Sequence, residues 1–359
     1  MFFNVDSDRG AVIHGWFAAD NPAVSARLAI RAPGREEVTV EANLQRDDVR
    51  DLGLHGTGRV GFRIDKSIVP DLDELVDVEI LEAESGLPIY RRLQPGRHIE
   101  KKLILFDASL MPQRRIHDQI RDNFALTYFS VERYSLETSI VLISNHHATS
   151  LVVTGRSSYN RYAAHLDNAG FIKAALLREP YEELAERLLF LNLLSRSPSA
   201  HLATSFLTGL QPLLDFARDL PLTDTKAMVS HFRQVDAEQK RAIASPMVRM
   251  LGCDVGDEPE RRHVSVALDN LAGMDVVGCR ERYSVFRNLL WRTLGADVLG
   301  EETPTAFASV AALAKDLKRI GVLGDLLEHD AELYKLAREA IDAGLSGDAE
   351  VSLRDTQAT

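Results

Sequence analysis

Apolar and polar residues alternate in several short segments within the first 96 residues of the chain. A period of two places one face of a strand on a core and the other face in water. Turn-forming residues such as Pro33-Gly34 and Gly86-Leu87-Pro88 separate the segments. Short strands at this spacing predict a small antiparallel β-sandwich over residues 1–96. The apolar positions that define the predicted strands are Val12 and Ile13, Leu28 and Ile30, Val38 and Val40, Val60, Phe62 and Ile64, and Val76, Val78 and Ile80.

Continuous apolar runs replace the alternation after Pro95-Gly96-Arg97, a segment with the composition of a linker. Such runs are typical of strands that are buried on both faces. Helical periodicity lies between them, most clearly in residues 180–194. Strands that alternate with helices predict an α/β domain over residues 97–344, with a mainly parallel sheet flanked by helices. The predicted strands are residues 103–106, 140–143, 151–153, 172–177 and 276–277.

The composition is that of a globular protein, because 45% of the 359 residues are hydrophobic and 26% are charged. Residues 345–359 are polar, and we expect them to form a disordered tail. No signal sequence is visible, and no apolar run approaches the roughly 20 residues that a spanning helix needs. Cys253 and Cys279 are too few for a disulfide framework. These features predict a cytoplasmic protein with reduced thiols and no transmembrane segment.

The formal net charge of −11 bears on the choice of partner. An acidic surface repels the phosphate backbone, so we expect no nucleic-acid partner. Arginine pairs such as Arg114-Arg115 and Arg261-Arg262 still offer local sites for an anion.

Four stretches of the α/β region carry a resemblance to a known family. Residues 171–192 predict a strand, a turn and a helix around Leu177-Arg178-Glu179-Pro180, and three later stretches follow in a fixed order, at residues 245–252, 267–295 and 326–340. Over residues 101–343 the chain resembles the carbohydrate sulfotransferases, in particular the bacterial branch similar to heparan sulfate 2-O-sulfotransferase. The resemblance implies a P-loop-type sulfotransferase fold. It also implies transfer of a sulfuryl group from 3′-phosphoadenosine 5′-phosphosulfate (PAPS) to a sugar hydroxyl.

The N-terminal region carries a second resemblance. Gly15-Trp16, Arg46-Asp47-Asp48-Val49, Gly53 and Gly61-Phe62 are similar to a small β-module that is attached to bacterial surface-glycan glycosyltransferases. This resemblance implies a role in bacterial surface polysaccharide metabolism. The partners it implies are a glycan acceptor and a surface-glycan assembly enzyme.

The loop that should hold the phosphosulfate of PAPS departs from the family pattern. The family uses glycines, a lysine and a threonine there, whereas residues 107–115 contain neither glycine nor lysine. Ser109, Arg114 and Arg115 are the remaining candidates for this site. The two arginines either contact the phosphosulfate or lie on the exposed face of an ordinary helix.

The second PAPS site departs from the pattern as well. Arg178 matches the family arginine that binds the 3′-phosphate, but Glu183 and Glu186 stand where the family has arginine and serine. A carboxylate only accepts hydrogen bonds, so it cannot donate one to a phosphate. We therefore expect Arg178 to pair with a nearby glutamate. Two altered sites leave two alternatives: an active sulfotransferase, or a non-catalytic glycan-binding or scaffold protein that kept the fold and lost the PAPS sites.

His146 and His147 directly follow the predicted strand at residues 140–143. Open α/β sheets place their ligands at the carboxyl ends of strands. The resemblance implies a general base near this point that takes a proton from the sugar hydroxyl, and histidine has a suitable pKa. The alternative is a loop pair without a role. The spacing of these histidines to Asp167 fits no metal framework, so no metal is expected.

Overall fold

The structure is a computed structural model that describes residues 1–21, 26–145, 147–197, 207 and 209–357, with side chains described up to residue 345. The chain divides into two compact units. The first contains residues 1–104, 117–153 and 164–171, and the second contains residues 105–116, 154–163 and 172–359. The predicted domain boundary at residue 96 lies within the first unit.

Two antiparallel four-stranded sheets form from the N-terminal residues, as the alternation predicts. Their strands are β1 (Phe2–Asp8), β2 (Val12–Ala18), β3 (Arg27–Arg31), β4 (Val38–Glu41), β5 (Leu44–Gln45), β6 (Arg59–Asp65), β7 (Glu79–Glu82) and β8 (Pro88–Arg91). One sheet has the order β1-β2-β6-β5 and the other the order β4-β3-β7-β8. Ile13, Leu28, Ile64 and Ile80 are fully buried, so the alternating positions do face a core. Val76 is an exception, because it lies before β7 and is exposed.

Gly15 and Gly61 owe their identity to close packing inside the first sheet. Gly15 on β2 is paired with Phe62 on β6. A Cβ atom at Gly15 would lie 2.5 Å from both the Asn4 carbonyl oxygen and the Phe62 ring. A Cβ atom at Gly61 would lie 3.0 Å from the Arg46 side chain. These residues of the N-terminal motif therefore have a structural role.

A five-stranded parallel sheet flanked by helices follows, which confirms the predicted fold class. Its strands are β9 (Lys102–Asp107), β10 (Leu126–Tyr128), β11 (Leu151–Gly155), β12 (Phe171–Leu177) and β13 (Val276–Cys279). Their order in the sheet is β10-β11-β9-β12-β13. The adjacent strands β9, β12 and β13 end at Asp107, Leu177 and Cys279, and the candidate site is built from the residues at and after these ends.

The helices are α1 (Asp47–Asp51), α2 (Arg114–Asn123), α3 (Leu136–Ile143), α4 (Tyr159–Ala169), α5 (Pro180–Ser195), α6 (Pro212–Asp219), α7 (Thr225–Phe232), α8 (Ala237–Ile243), α9 (Pro246–Gly252), α10 (Arg261–Ala272), α11 (Tyr283–Leu294), α12 (Ala308–Leu317) and α13 (Gly321–Gln357). Helix α5 packs against α6 and α12 through its buried leucines, Leu184, Leu188 and Leu191. Helix α13 continues to Gln357, through most of the segment that was expected to form a disordered tail.

The prediction of a strand at residues 140–143 is wrong, because these residues end α3. The Ser135 side chain accepts a hydrogen bond from the Thr138 main-chain N–H and caps this helix. Leu142 and Ile143 are fully buried, and a buried helix segment has the same continuous apolar run as a buried strand. Within the parallel sheet, the strand that the sequence did not predict is β10.

Among the described helices, none combines the length and the apolar character that crossing a bilayer requires.

Candidate functional site

The carboxyl ends of β9, β12 and β13 bring charged residues to one edge of the sheet. Asp107 is the last residue of β9, Arg178 follows β12 and Arg280 follows β13. Glu186 reaches the same place from the second turn of α5. Carboxyl ends of parallel strands are the usual place for ligands in open α/β sheets. We call Asp107, Arg178, Glu186 and Arg280 the ion-pair cluster.

Arg178 lies at the centre of the ion-pair cluster, and only 1% of its surface is exposed. Its Nε donates to Asp107 Oδ1 at 3.0 Å, and its Nη1 donates to Glu186 Oε1 at 3.0 Å. Burial by itself lowers the pKa of Arg178, but the two carboxylates outweigh that effect and hold the pKa above its usual value. The predicted pairing of Arg178 with a glutamate is therefore confirmed, and the partner is Glu186.

Arg280 is the second cation of the cluster. Its Nη1 donates to Glu186 Oε2, so Glu186 bridges two guanidinium groups. Its Nη2 donates to the main-chain oxygen of Thr305. The cluster therefore contains two positive and two negative charges, and both of its carboxylates already accept hydrogen bonds from arginine.

Ser109, a predicted PAPS contact, lies against the carboxylates of the cluster. Its main-chain N–H donates to Asp107 Oδ1 at 2.8 Å. Its Oγ lies 3.3 Å from the Met111 carbonyl oxygen and 3.4 Å from Glu186 Oε1. Both donors of Ser109 are thus directed toward acceptors of the protein itself.

Arg114 and Arg115, the other predicted PAPS contacts, begin α2 and are exposed. Arg115 is 84% exposed, and its nearest acidic partner is Glu302 at 3.8 Å. Neither arginine pairs with a member of the ion-pair cluster. Of the two readings that the sequence left open for these arginines, the structure favours the exposed helix face.

Glu183 is the second glutamate that stands in the altered motif. It is buried and pairs with Arg187 one turn later on α5, with Arg187 Nη2 donating to Glu183 Oε1 at 2.6 Å. Glu183 and Glu186, the two residues that differ from the family motif, are therefore both buried, and each is paired with an arginine.

The predicted catalytic histidines do not follow a strand. His146 lies outside the described residues. His147 is exposed, and its main-chain N–H donates to the Asn145 side chain at 3.1 Å. The Asn145 carbonyl oxygen in turn accepts from Nζ of Lys102, the first residue of β9. This contact is at the amino end of β9, whereas Asp107 is the last residue of that strand, about 16 Å along it.

Three buried hydrogen-bond donors in or near the cluster have no partner among the described residues: Arg178 Nη2, Gln113 Nε2 and Tyr283 Oη. The Gln113 Oε1 atom accepts a hydrogen bond from the Thr305 main-chain N–H at 3.0 Å. Burial, helped by the nearby negative charge of Asp107, raises the pKa of Tyr283. The Tyr283 hydroxyl therefore keeps its proton and remains a donor.

Sequence reasoning missed Arg280, Gln113 and Tyr283. Arg280 had one available signal, since it follows a predicted strand within the stretch at residues 267–295 that resembles the sulfotransferases. Gln113 and Tyr283 had none, because their roles depend on which strands are adjacent in the sheet.

The fold and the site together define an α/β protein with a buried, charge-balanced ion-pair cluster at the carboxyl edge of its parallel sheet. The chain matches no family in a comparison with known protein families, and a search of curated proteins finds no match. The resemblance to carbohydrate sulfotransferases therefore stays a prediction.

Proposed function

We propose that this protein is a non-catalytic, sulfotransferase-like protein of bacterial surface polysaccharide metabolism, which binds a glycan or serves as a scaffold and does not use PAPS. One observation carries the proposal: two protein carboxylates already neutralise the buried guanidinium of Arg178, the residue that would have to bind the 3′-phosphate.

The charge of the nucleotide is the physical reason. A phosphate monoester carries about −1.5 to −2 charges at neutral pH. At Arg178 it would meet Asp107 and Glu186, and it could gain the guanidinium only if those carboxylates were displaced. Breaking a buried ion pair costs about 3–5 kcal/mol. Arg280, the second cation of the cluster, is paired with Glu186 as well. It is therefore not free to bind the phosphate and offset this cost.

The phosphosulfate end of PAPS meets a similar difficulty. An anion there needs main-chain N–H donors or a nearby cation. The Ser109 N–H donates to Asp107, and Arg114 and Arg115 lie on an exposed helix start. The Asp107 side chain, at the end of β9, would repel the anion.

The glycan and scaffold part of the proposal depends on the resemblance of the N-terminal module. The close packing at Gly15 and Gly61 fits a preserved module, because it explains why the motif needs glycine at these positions. A glycan acceptor and a surface-glycan assembly enzyme are the partners that this resemblance favours.

Thermal unfolding with and without 3′-phosphoadenosine 5′-phosphate tests the proposal. A ligand at 100 times its Kd stabilises a protein by about 2.7 kcal/mol, so true binding would be easy to detect. We expect no shift for the wild-type protein. The matched variant is Glu186→Ser, which places the serine of the family motif between Arg178 and Arg280 and should allow a shift. A shift in the wild-type protein would contradict the proposal and favour sulfuryl transfer.

A further inference from the structure

The connection between α11 and α12 contacts Gln113 and Arg280 at the ion-pair cluster. Residues 302–307 have no regular secondary structure, and we call them the cover segment. Thr305 is held by both of its main-chain groups, since its N–H donates to Gln113 Oε1 and its oxygen accepts from Arg280. At the other end of the segment, Glu302 lies 3.8 Å from the exposed Arg115.

Two of the unpaired donors belong to the same network as these contacts, and the third lies near enough to Asp107 to feel its negative charge. Gln113 bonds to the cover segment with its oxygen, while its Nε2 has no acceptor. Arg178 is joined to the cover segment through Glu186 and Arg280, and its Nη2 has no acceptor. The hydroxyl of Tyr283, the first residue of α11, is the third such donor, and the residue is 7% exposed.

Buried donors without acceptors are uncommon in proteins and are costly to keep. Three of them around one ion-pair cluster favour an arrangement in which another molecule supplies the acceptors. Because the three atoms are buried, that molecule reaches them only when part of the protein moves. The cover segment is an irregular stretch that bonds to Gln113 and Arg280, so it is the part that we expect to move. Thr305 attaches the cover segment to Gln113 and Arg280 through its two main-chain groups.

The charge balance of the cluster selects the kind of molecule. With two positive and two negative groups already paired, an added anion would meet no net attraction and would lie near Asp107. A neutral molecule with several acceptor oxygens satisfies the donors without that penalty. Arg178 and Ser109 both donate to Asp107 Oδ1, so a hydroxyl group of the ligand can donate to the other oxygen, Oδ2.

We propose that Arg178, Gln113 and Tyr283 form the polar wall of a binding site for a neutral sugar, with Asp107 accepting a hydroxyl and residues 302–307 acting as a movable cover. This inference rests on the proposed function, since it requires that the cluster does not hold a nucleotide phosphate. It adds the location of the glycan site and the neutral character of its ligand.

The test uses the full chain and ligand-observed NMR titrations with methyl glucoside, methyl galactoside and methyl mannoside, with inorganic sulfate as the anionic probe. We expect at least one neutral glycoside to bind and to bind more tightly than sulfate. The Tyr283→Phe variant should bind it about three- to tenfold more weakly, as expected for the loss of one neutral hydrogen bond.

The same variant separates a ligand contact from a structural one. Because the Tyr283 hydroxyl has no partner in the closed protein, Tyr283→Phe should leave the unfolding temperature unchanged or raise it. Tyr128→Phe is the matched control, since the buried Tyr128 hydroxyl donates to the Pro88 oxygen at 2.8 Å. That variant should lose stability and keep its sugar affinity.

Three results would each overturn the inference: no neutral glycoside binds, sulfate binds more tightly, or Tyr283→Phe binds the sugar as well as the wild type does. All three are independent of the nucleotide test. If neither the nucleotide nor a neutral sugar binds, the proposed function as a scaffold stands. The inference of a sugar site is then wrong.

Discussion

The Asp330 carboxylate accepts the main-chain N–H of Val248 at 2.7 Å, which ties α13 to the first turn of α9. It also accepts the N–H of Met247 at 3.0 Å, so one side chain satisfies two donors at the start of that helix. Ser245 completes the joint, because its Oγ donates to the Leu326 main-chain oxygen. Asp330 is fully buried and no arginine or lysine forms an ion pair with it among the described residues.

This joint should make stability fall as the pH rises. Burial raises the pKa of Asp330 to about 7, against the lowering effect of the two N–H groups; Glu183 raises it further and Arg187 lowers it. The folded-state pKa lies above the unfolded value of 3.8, so the folded protein binds the extra proton. The contribution is complete below pH 3.8 and is lost as the pH rises through 7, with a slope of at most about 1.4 kcal/mol per pH unit.

Urea unfolding of the wild type and of Asp330→Asn between pH 5 and pH 8 measures this effect. The asparagine keeps one acceptor oxygen and does not titrate, so its unfolding free energy should depend less on pH than that of the wild type. Parallel pH profiles for the two proteins would show that Asp330 keeps the same protonation state on folding and would reject the prediction.

The packing at Gly15 leads to a second prediction. Gly15→Ala would place a Cβ atom 2.5 Å from the Asn4 carbonyl oxygen and from the Phe62 ring, so two strands must move apart. Overpacking of this kind costs about 1–3 kcal/mol. The variant should unfold at a lower denaturant concentration than the wild type.

Gly56→Ala is the matched control for Gly15→Ala. Nothing lies within 4 Å of a Cβ atom at Gly56, and its backbone is not in the left-handed region. Its unfolding midpoint should stay close to that of the wild type. Equal losses in the two variants would mean that glycine is needed at Gly15 for a reason other than space.

The sequence predicted the elements whose signals are local. Alternation identified strands such as β6, and continuous apolar runs identified β9 and β12. The apolar run at residues 140–143 led to a wrong strand prediction, because a helix that is buried on most sides has no polar face to reveal its period. β10 was missed because its three residues, Leu126–Tyr128, are too few to show a period.

The candidate site was predictable only in part for a related reason. Glu186 and Arg178 lie eight positions apart, so their pairing follows from two helical turns and could be expected from the sequence. Arg280 is 94 positions from Glu186, and their contact depends on β13 lying next to β12. The predicted position of His147 at the end of a strand was wrong because residues 140–143 form a helix.

The last prediction concerns the ion-pair cluster itself. Arg178→Met removes the cation that Asp107 and Glu186 share, and leaves Glu186, which is 4% exposed, with Arg280 alone. Removing one partner of a buried pair costs about 3–5 kcal/mol, because the remaining charge stays buried. Arg115→Met, at an exposed position, should change the unfolding free energy by less than about 0.5 kcal/mol. Guanidinium unfolding compares the two variants under the same conditions. If Arg178→Met proved as stable as Arg115→Met, Arg178 would not be neutralised by its carboxylates, and the argument against nucleotide binding would lose its basis.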